Sequence, residues 1–109
     1  MISAEAIRGY IDILILSQLL NGPSYAYAIG KTVTDVAGGD YVMKQTTLYS
    51  ALKRLEMAGQ VEGFPRTSTS GKPRTYYRIT KAGLDAFSSK CDEWRAAKTL
   101  IDRFTEGML

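Results

Sequence analysis

The sequence predicts a mainly α fold with one β-hairpin and a long C-terminal helix, in a chain of 109 residues that suits one compact domain. Three observations predict it. Apolar residues recur at helical spacing over most of the chain. That period gives way to strand-like alternation only between residues 61 and 80. A polar loop containing Gly71 and Pro73 divides this stretch into two strands.

Residues 5 to 20 read as the first helix, ended by Asn21-Gly22-Pro23. Its apolar positions are Ile7, Tyr10, Ile11, Ile13, Leu14, Ile15, Leu16, Leu19 and Leu20. They cover more than one stripe, so one face is expected in the domain core and another against a partner subunit. The β-branched run from Ile11 to Ile15 would also suit a strand, but no turn signal bounds it before Asn21. Ser24 is the expected N-cap of a second helix that runs to about Ala37 and closes on Gly38-Gly39. Tyr25, Ala28, Ile29, Thr32, Val33 and Val36 form its expected inner stripe.

A short link, Asp40 to Met43, leads to a third helix between Lys44 and Gly59. Here Leu48, Ala51, Leu52, Leu55 and Ala58 make the core-facing stripe. The opposite side centres on Thr46, Ser50, Lys53 and Met57, flanked by Tyr49 and Arg54. A helix that lies in a DNA groove has such a face, short and polar with basic residues beside it. An ordinary solvated helix has one too, so the rest of the chain must decide. Val61 to Arg66 and Arg74 to Thr80 then read as strands around Thr67 to Pro73. Thr75, Tyr77 and Ile79 face inward by alternation, and Arg74, Tyr76 and Arg78 face outward. Pro65 suits only an edge strand or an irregularity. A basic hairpin directly after a helix-turn-helix is a wing, so residues 1–80 are expected to form a winged helix-turn-helix domain that binds DNA.

Thr80 caps the last helix, expected from Lys81 to about Phe104, with Gly83 weakening its first turn slightly. Leu84, Phe87, Cys91, Trp94 and Ile101 follow a seam that Lys98 interrupts. The helix either folds back on its own subunit or pairs with a partner. Because the first helix is also apolar on two sides, residues 81–109 are expected to serve as a dimerisation helix.

The totals exclude several function classes. No histidine is present, which removes the commonest general base and metal ligand. No phosphate-binding glycine loop and no zinc-type cysteine pair occurs, and the acids are scattered, so an enzyme is not expected. The single cysteine, Cys91, fits a reducing cytoplasm. The longest apolar run, Tyr10 to Leu20, contains Asp12, Ser17 and Gln18 and is too short to span a bilayer. Charge is unevenly placed: residues 44–81 hold eight cations against Glu56 and Glu62, a net +6, which leaves −3 for the rest of a chain totalling +3. A basic middle of this kind is a footprint for a polyanion. A winged helix used only for protein contacts is the alternative, and exposed Met57 would suit it.

The order of motifs resembles the PadR family of transcriptional regulators over nearly the whole chain. Ile7-Arg8-Gly9-Tyr10-Ile11-Asp12-Ile13-Leu14-Ile15-Leu16 and Gly22 to Ile29 are similar to the opening of these proteins. Thr47-Leu48-Tyr49-Ser50-Ala51-Leu52-Lys53-Arg54-Leu55-Glu56 with Gly59 resembles their recognition helix, and Arg74 to Thr80 with Gly83 their second wing strand and helix start. Thr46 stands where the family usually has Gly, Ser50 where it usually has Pro, and Pro65 where a large aromatic is frequent. The first two lie on the reading face and bear on operator sequence rather than fold.

The resemblance implies a dimeric repressor on a pseudo-palindromic operator in double-stranded DNA, released by a small molecule. It implies DNA contacts from Lys44, Gln45, Thr46, Thr47, Tyr49, Ser50, Lys53 and Arg54 on the helix. Arg66, Lys72, Arg74 and Tyr76 would add contacts from the wing. Thr46, Thr47 and Ser50 are short enough for base edges, whereas Lys53, Arg54 and the wing cations suit phosphates. A lone tryptophan at a helix seam is ordinarily packing. The family likeness adds a second role for Trp94, as a platform for a planar aromatic effector at the dimer interface, with Ile7, Ile11 and Leu14 lining the same space. No cofactor is expected.

Overall fold

The computed structural model describes residues 1–107. Helix α1 (Ala4–Ile7) is capped by Ser3, whose hydroxyl accepts from the Ala6 N–H at 3.1 Å. A 3-10 turn over Arg8–Tyr10 follows, then α2 (Ile11–Ser17). The helix expected over residues 5 to 20 is therefore broken. Gly9 is a poor helix former, and Tyr10 leaves the helical region at φ −117°, ψ 3°. At the other end Gln18 and Leu19 donate to the carbonyls three residues back, at 3.1 and 3.0 Å, which tightens the last turn and ends α2 early.

Ser24 is not a helix cap. It belongs with Tyr25 to a short strand, β1 (Ser24–Tyr25), and α3 (Ala26–Ala37) starts behind it without a side-chain cap. The free edge of the hairpin takes these two residues before the helix begins. The inner stripe moves accordingly to Ala26, Ile29 and Val33, while Thr32 is exposed and Val36 points out at 83% exposure. Gly38 ends α3 at φ 60°, as the sequence requires.

Helix α4 (Gln45–Met57) buries Leu48, Ala51, Leu52 and Leu55. Ala58 falls just beyond it and is exposed. Gly59 at φ 73° donates to the Glu56 carbonyl and Gln60 to the Leu55 carbonyl, at 3.0 and 2.9 Å. These two bonds are the Schellman pattern that lets the chain reverse into a strand. β2 (Val61–Thr67) and β3 (Pro73–Ile79) make the hairpin, and with β1 they form an antiparallel sheet in the order β1-β3-β2. Pro65 lies on the edge strand β2 opposite Thr75, where a missing N–H costs little. Ile15, Leu16, Leu19, Ile29, Leu52, Leu55 and Val61 form the innermost core, drawn from α2, the turn after it, α3, α4 and the sheet.

Thr80 caps α5 (Lys81–Asp102): its hydroxyl accepts from Gly83 N–H at 3.1 Å and donates to the Gly59 carbonyl at 2.6 Å. Gly83 is buried against the Gln60 carbonyl, so its role is close approach of two backbones rather than the slight weakening expected from propensity. The first half of α5 packs on α2, with Phe87 against the core, and the second half projects away. A π-helical turn, Arg103–Gly107, extends it, and the molecule measures 58 × 30 × 21 Å. The expected dimerisation seam thus divides. Phe87 and Cys91 are half-buried, whereas Leu84, Trp94 and Ile101 are exposed, joined by Leu100 and Phe104.

Candidate nucleic-acid interface

Burying Leu48, Ala51, Leu52 and Leu55 fixes the rotation of α4 and leaves the other side to solvent. Lys44, Gln45, Thr46, Tyr49, Ser50 and Lys53 are exposed there, and Thr47 is half-buried. Thr47, Ser50 and Arg54 follow one line at three- and four-residue spacing. Together with Arg8, Ile11 and Thr46 they border a cleft of about 360 Å³ between α4 and the 3-10 turn. Arg8 was not among the residues singled out from sequence. Its only sequence signal is a cation beside Gly9, which does not locate it against α4.

Arg54 differs from its neighbours. Its guanidinium forks onto Asp12 of α2, with Nη2 to Oδ1 at 2.6 Å and Nη1 to Oδ2 at 2.9 Å. Lys90 of α5 approaches the same carboxylate at 3.5 Å. Burial alone would raise the Asp12 pKa. Hydrogen bonding and charge from Arg54, with the charge of Lys90, outweigh it and hold the group below the ordinary aspartate value. The same hydrogen bond raises the Arg54 pKa further. Arg54, expected only as a phosphate contact, thus also joins α4 to α2.

The wing presents a row of aromatic rings with an arginine over each. Register places Phe64 and Tyr25 on either side of Tyr76, with ring centroids 6.1 and 5.1 Å from it. Arg66 lies over Tyr76 at 4.8 Å, Arg74 over Tyr25 at 4.4 Å and Arg78 over Phe64 at 4.1 Å. Stacking keeps these side chains extended along the sheet while their charges stay in water. Gly71 at φ 84° closes the tip, where Ser68 N–H donates to the Lys72 carbonyl at 2.8 Å and holds Lys72 at the end of the wing. The inward set is Tyr77 and Ile79, both half-buried; Thr75, expected with them, is exposed near the tip.

Helix and wing are contiguous. A second cleft, of about 320 Å³, is lined by Tyr49 of α4, by Arg74 and Thr75 of β3, and by Tyr25 and Tyr27. Tyr27, 67% exposed in the first turn of α3, was also missed from sequence because the helix was expected to begin at Ser24. Among the described residues Lys44, Lys53, Arg66, Lys72 and Arg74 have no carboxylate partner, whereas Arg78 pairs with Glu62 at 3.2 Å and Lys81 with Asp85 at 3.7 Å. The unpaired cations belong to the helix start, its second turn and the wing. Such an arrangement favours a polyanion spread along one surface.

The four residues expected around an effector are not brought together. Trp94, 42% exposed, borders a groove of about 260 Å³ with Gly9, Tyr10, Ile13, Lys90, Glu93 and Ala97. Ile11 is buried in the core, and Ile7 and Leu14 line a separate cleft with Val33, Val36 and Tyr41. The break at Arg8–Tyr10 sets the phase of α2, so Tyr10 and Ile13 face α5 instead.

An α4 helix packed behind a three-stranded sheet, with a basic helix-and-wing surface, defines the winged helix-turn-helix class. The family model described as "Transcriptional regulator PadR-like family" matches residues 15–89. The chain belongs to this family of transcriptional regulators. A transcriptional regulator from Clostridium thermocellum is 43% identical and superposes with a TM-score of 0.86 over 94% of this chain and 99% of its own. A PadR family transcription regulator from hypervirulent Clostridium difficile R20291 is 36% identical, with a TM-score of 0.76 over 87% of this chain and 97% of its own. An uncharacterised protein of Lysinibacillus sphaericus is 33% identical over 108 residues, 99% of each chain. Among the described residues no helix is long and apolar enough to cross a membrane.

Proposed function

We propose that the protein is a cytoplasmic transcriptional repressor that binds a pseudo-palindromic operator in double-stranded DNA as a homodimer. The observation that carries this reading is the contiguity of the α4 outer face with the wing, both bearing cations that no carboxylate neutralises. Thr46, Thr47 and Ser50 read base edges; Lys44, Lys53, Arg66, Lys72 and Arg74 hold phosphates, with Gln45, Tyr49 and Tyr76 beside them. The exposed apolar residues Leu84, Trp94, Leu100, Ile101 and Phe104 form the dimer contact on α5. Titration of a duplex from the region upstream of the gene tests the reading. Lys53→Ala is expected to weaken binding and reduce the salt slope by about 0.9, the value for one lost phosphate contact. An unchanged slope would place Lys53 off the backbone, and protein contact without DNA binding would favour the interaction-module alternative.

The effector is a planar aromatic molecule that stacks on Trp94 in the groove it shares with Tyr10 and Ile13, and it relieves repression. Since Trp94 is the one tryptophan in the chain, its emission reports on that groove alone. Quenching on addition of planar aromatic compounds is the expected result. Constant emission across a panel of them would remove this site.

A further inference from the structure

Asp12 is an acid buried beside a surface that the preceding section assigns to DNA, and the inference here rests on that assignment. Its carboxylate takes the end-on fork of Arg54, at 2.6 and 2.9 Å, while the Arg54 side chain stays 58% exposed. An arginine has five N–H donors, and this fork uses two of them. The remaining three are available to a ligand in the cleft that Arg54 lines with Arg8, Thr47 and Ser50. A phosphate oxygen suits that set: two guanidinium groups, hydroxyl donors, and a concavity beside the first turns of α4.

We propose that Asp12 is a positioning residue for DNA backbone recognition, fixing the Arg54 guanidinium so that Arg54 and Arg8 seat one phosphate. Held by a carboxylate on a neighbouring helix, the long Arg54 side chain enters the complex already ordered, so binding loses less rotamer freedom. Lys90 touches the carboxylate but lines the Trp94 groove, so it anchors α5 and does not order Arg54.

The sign of one substitution separates this from plain electrostatics. Asp12→Asn removes a negative charge near bound phosphates, which by Coulomb attraction alone would tighten DNA binding. Positioning predicts the reverse, a loss of about three- to tenfold. The salt slope should fall by about 0.9 if the phosphate contact goes with it. Arg54→Lys keeps the charge and loses the fork, so it should reproduce the loss even if Asp12→Asn folds poorly. Lys90→Gln should bind within about twofold of the parent, since it leaves the Arg54 fork intact. The titrations use a fluorescein-labelled duplex of the region upstream of the gene, with circular dichroism confirming fold. A parent that binds while Asp12→Asn and Arg54→Lys bind equally well or better, with the parental slope, overturns the inference alone. A parent that binds no DNA overturns it together with the function it rests on.

Discussion

Gly83→Ala is expected to destabilise the protein by about 2 kcal/mol, the middle of the range for overpacking at a rigid contact. Helix propensity by itself predicts the opposite, a gain of about 1 kcal/mol for alanine. The local geometry decides between them. A Cβ on Gly83 would run into the Gln60 carbonyl oxygen and lie 2.7 Å from Cγ1 of Ile79. The carbonyl cannot turn aside easily, because it accepts the Thr80 N–H at 3.1 Å. Relief therefore requires the start of α5 to shift away from the α4–β2 corner, breaking the Thr80 cap with it. The midpoint of thermal unfolding should fall by roughly 10 °C for a domain of this size. A variant as stable as the parent would show that the two backbones are not so closely apposed in solution.

Glutamates at Leu100 and Ile101 are expected to split the proposed dimer. Both residues are more than half exposed, at 53% and 56%, on the part of α5 that projects beyond its own core. Phe104, at 56%, continues the patch into the following turn. A charge placed in an apolar contact must be desolvated without a partner, which opposes association strongly. Losing the second half-site removes the effective concentration that linkage supplies, so operator affinity should drop by about 10²- to 10⁴-fold. Sedimentation and DNA titration on one sample read both effects. If the double variant sediments as the parent does, this part of α5 is not the dimer contact.

The two predictions also mark where sequence patterning suffices and where it does not. The α4 stripe was legible because four inward positions repeat at helical spacing over a helix of 13 residues. The hairpin was legible because Tyr77 and Ile79 alternate with Arg74, Tyr76 and Arg78, while Thr75 lies too near the tip to be covered. Gly83 was misjudged because propensity concerns one helix, and its contact is with a residue 23 positions earlier. Ser24 was assigned to a cap because serine before an apolar stripe ordinarily is one; here a long-range strand pairing with Tyr77 takes it first. Arg54 carries no sequence mark of its partner, since Asp12 lies 42 residues away. The cleft that Arg54 shares with Arg8, and the groove of Trp94 with Tyr10 and Ile13, both depend on the break at Gly9-Tyr10. A helix continuous to residue 20 would have rotated those side chains elsewhere.

Footprinting on the DNA upstream of the gene tests the central claim most directly. The account predicts two protected half-sites of a pseudo-palindrome, their centres about one helical turn or a multiple of it apart, roughly 34–36 Å per turn. It further predicts that protection vanishes when Lys53, Arg66, Lys72 and Arg74 are replaced together by alanine. Absence of a footprint, or one unchanged in that variant, would contradict recognition through α4 and the wing.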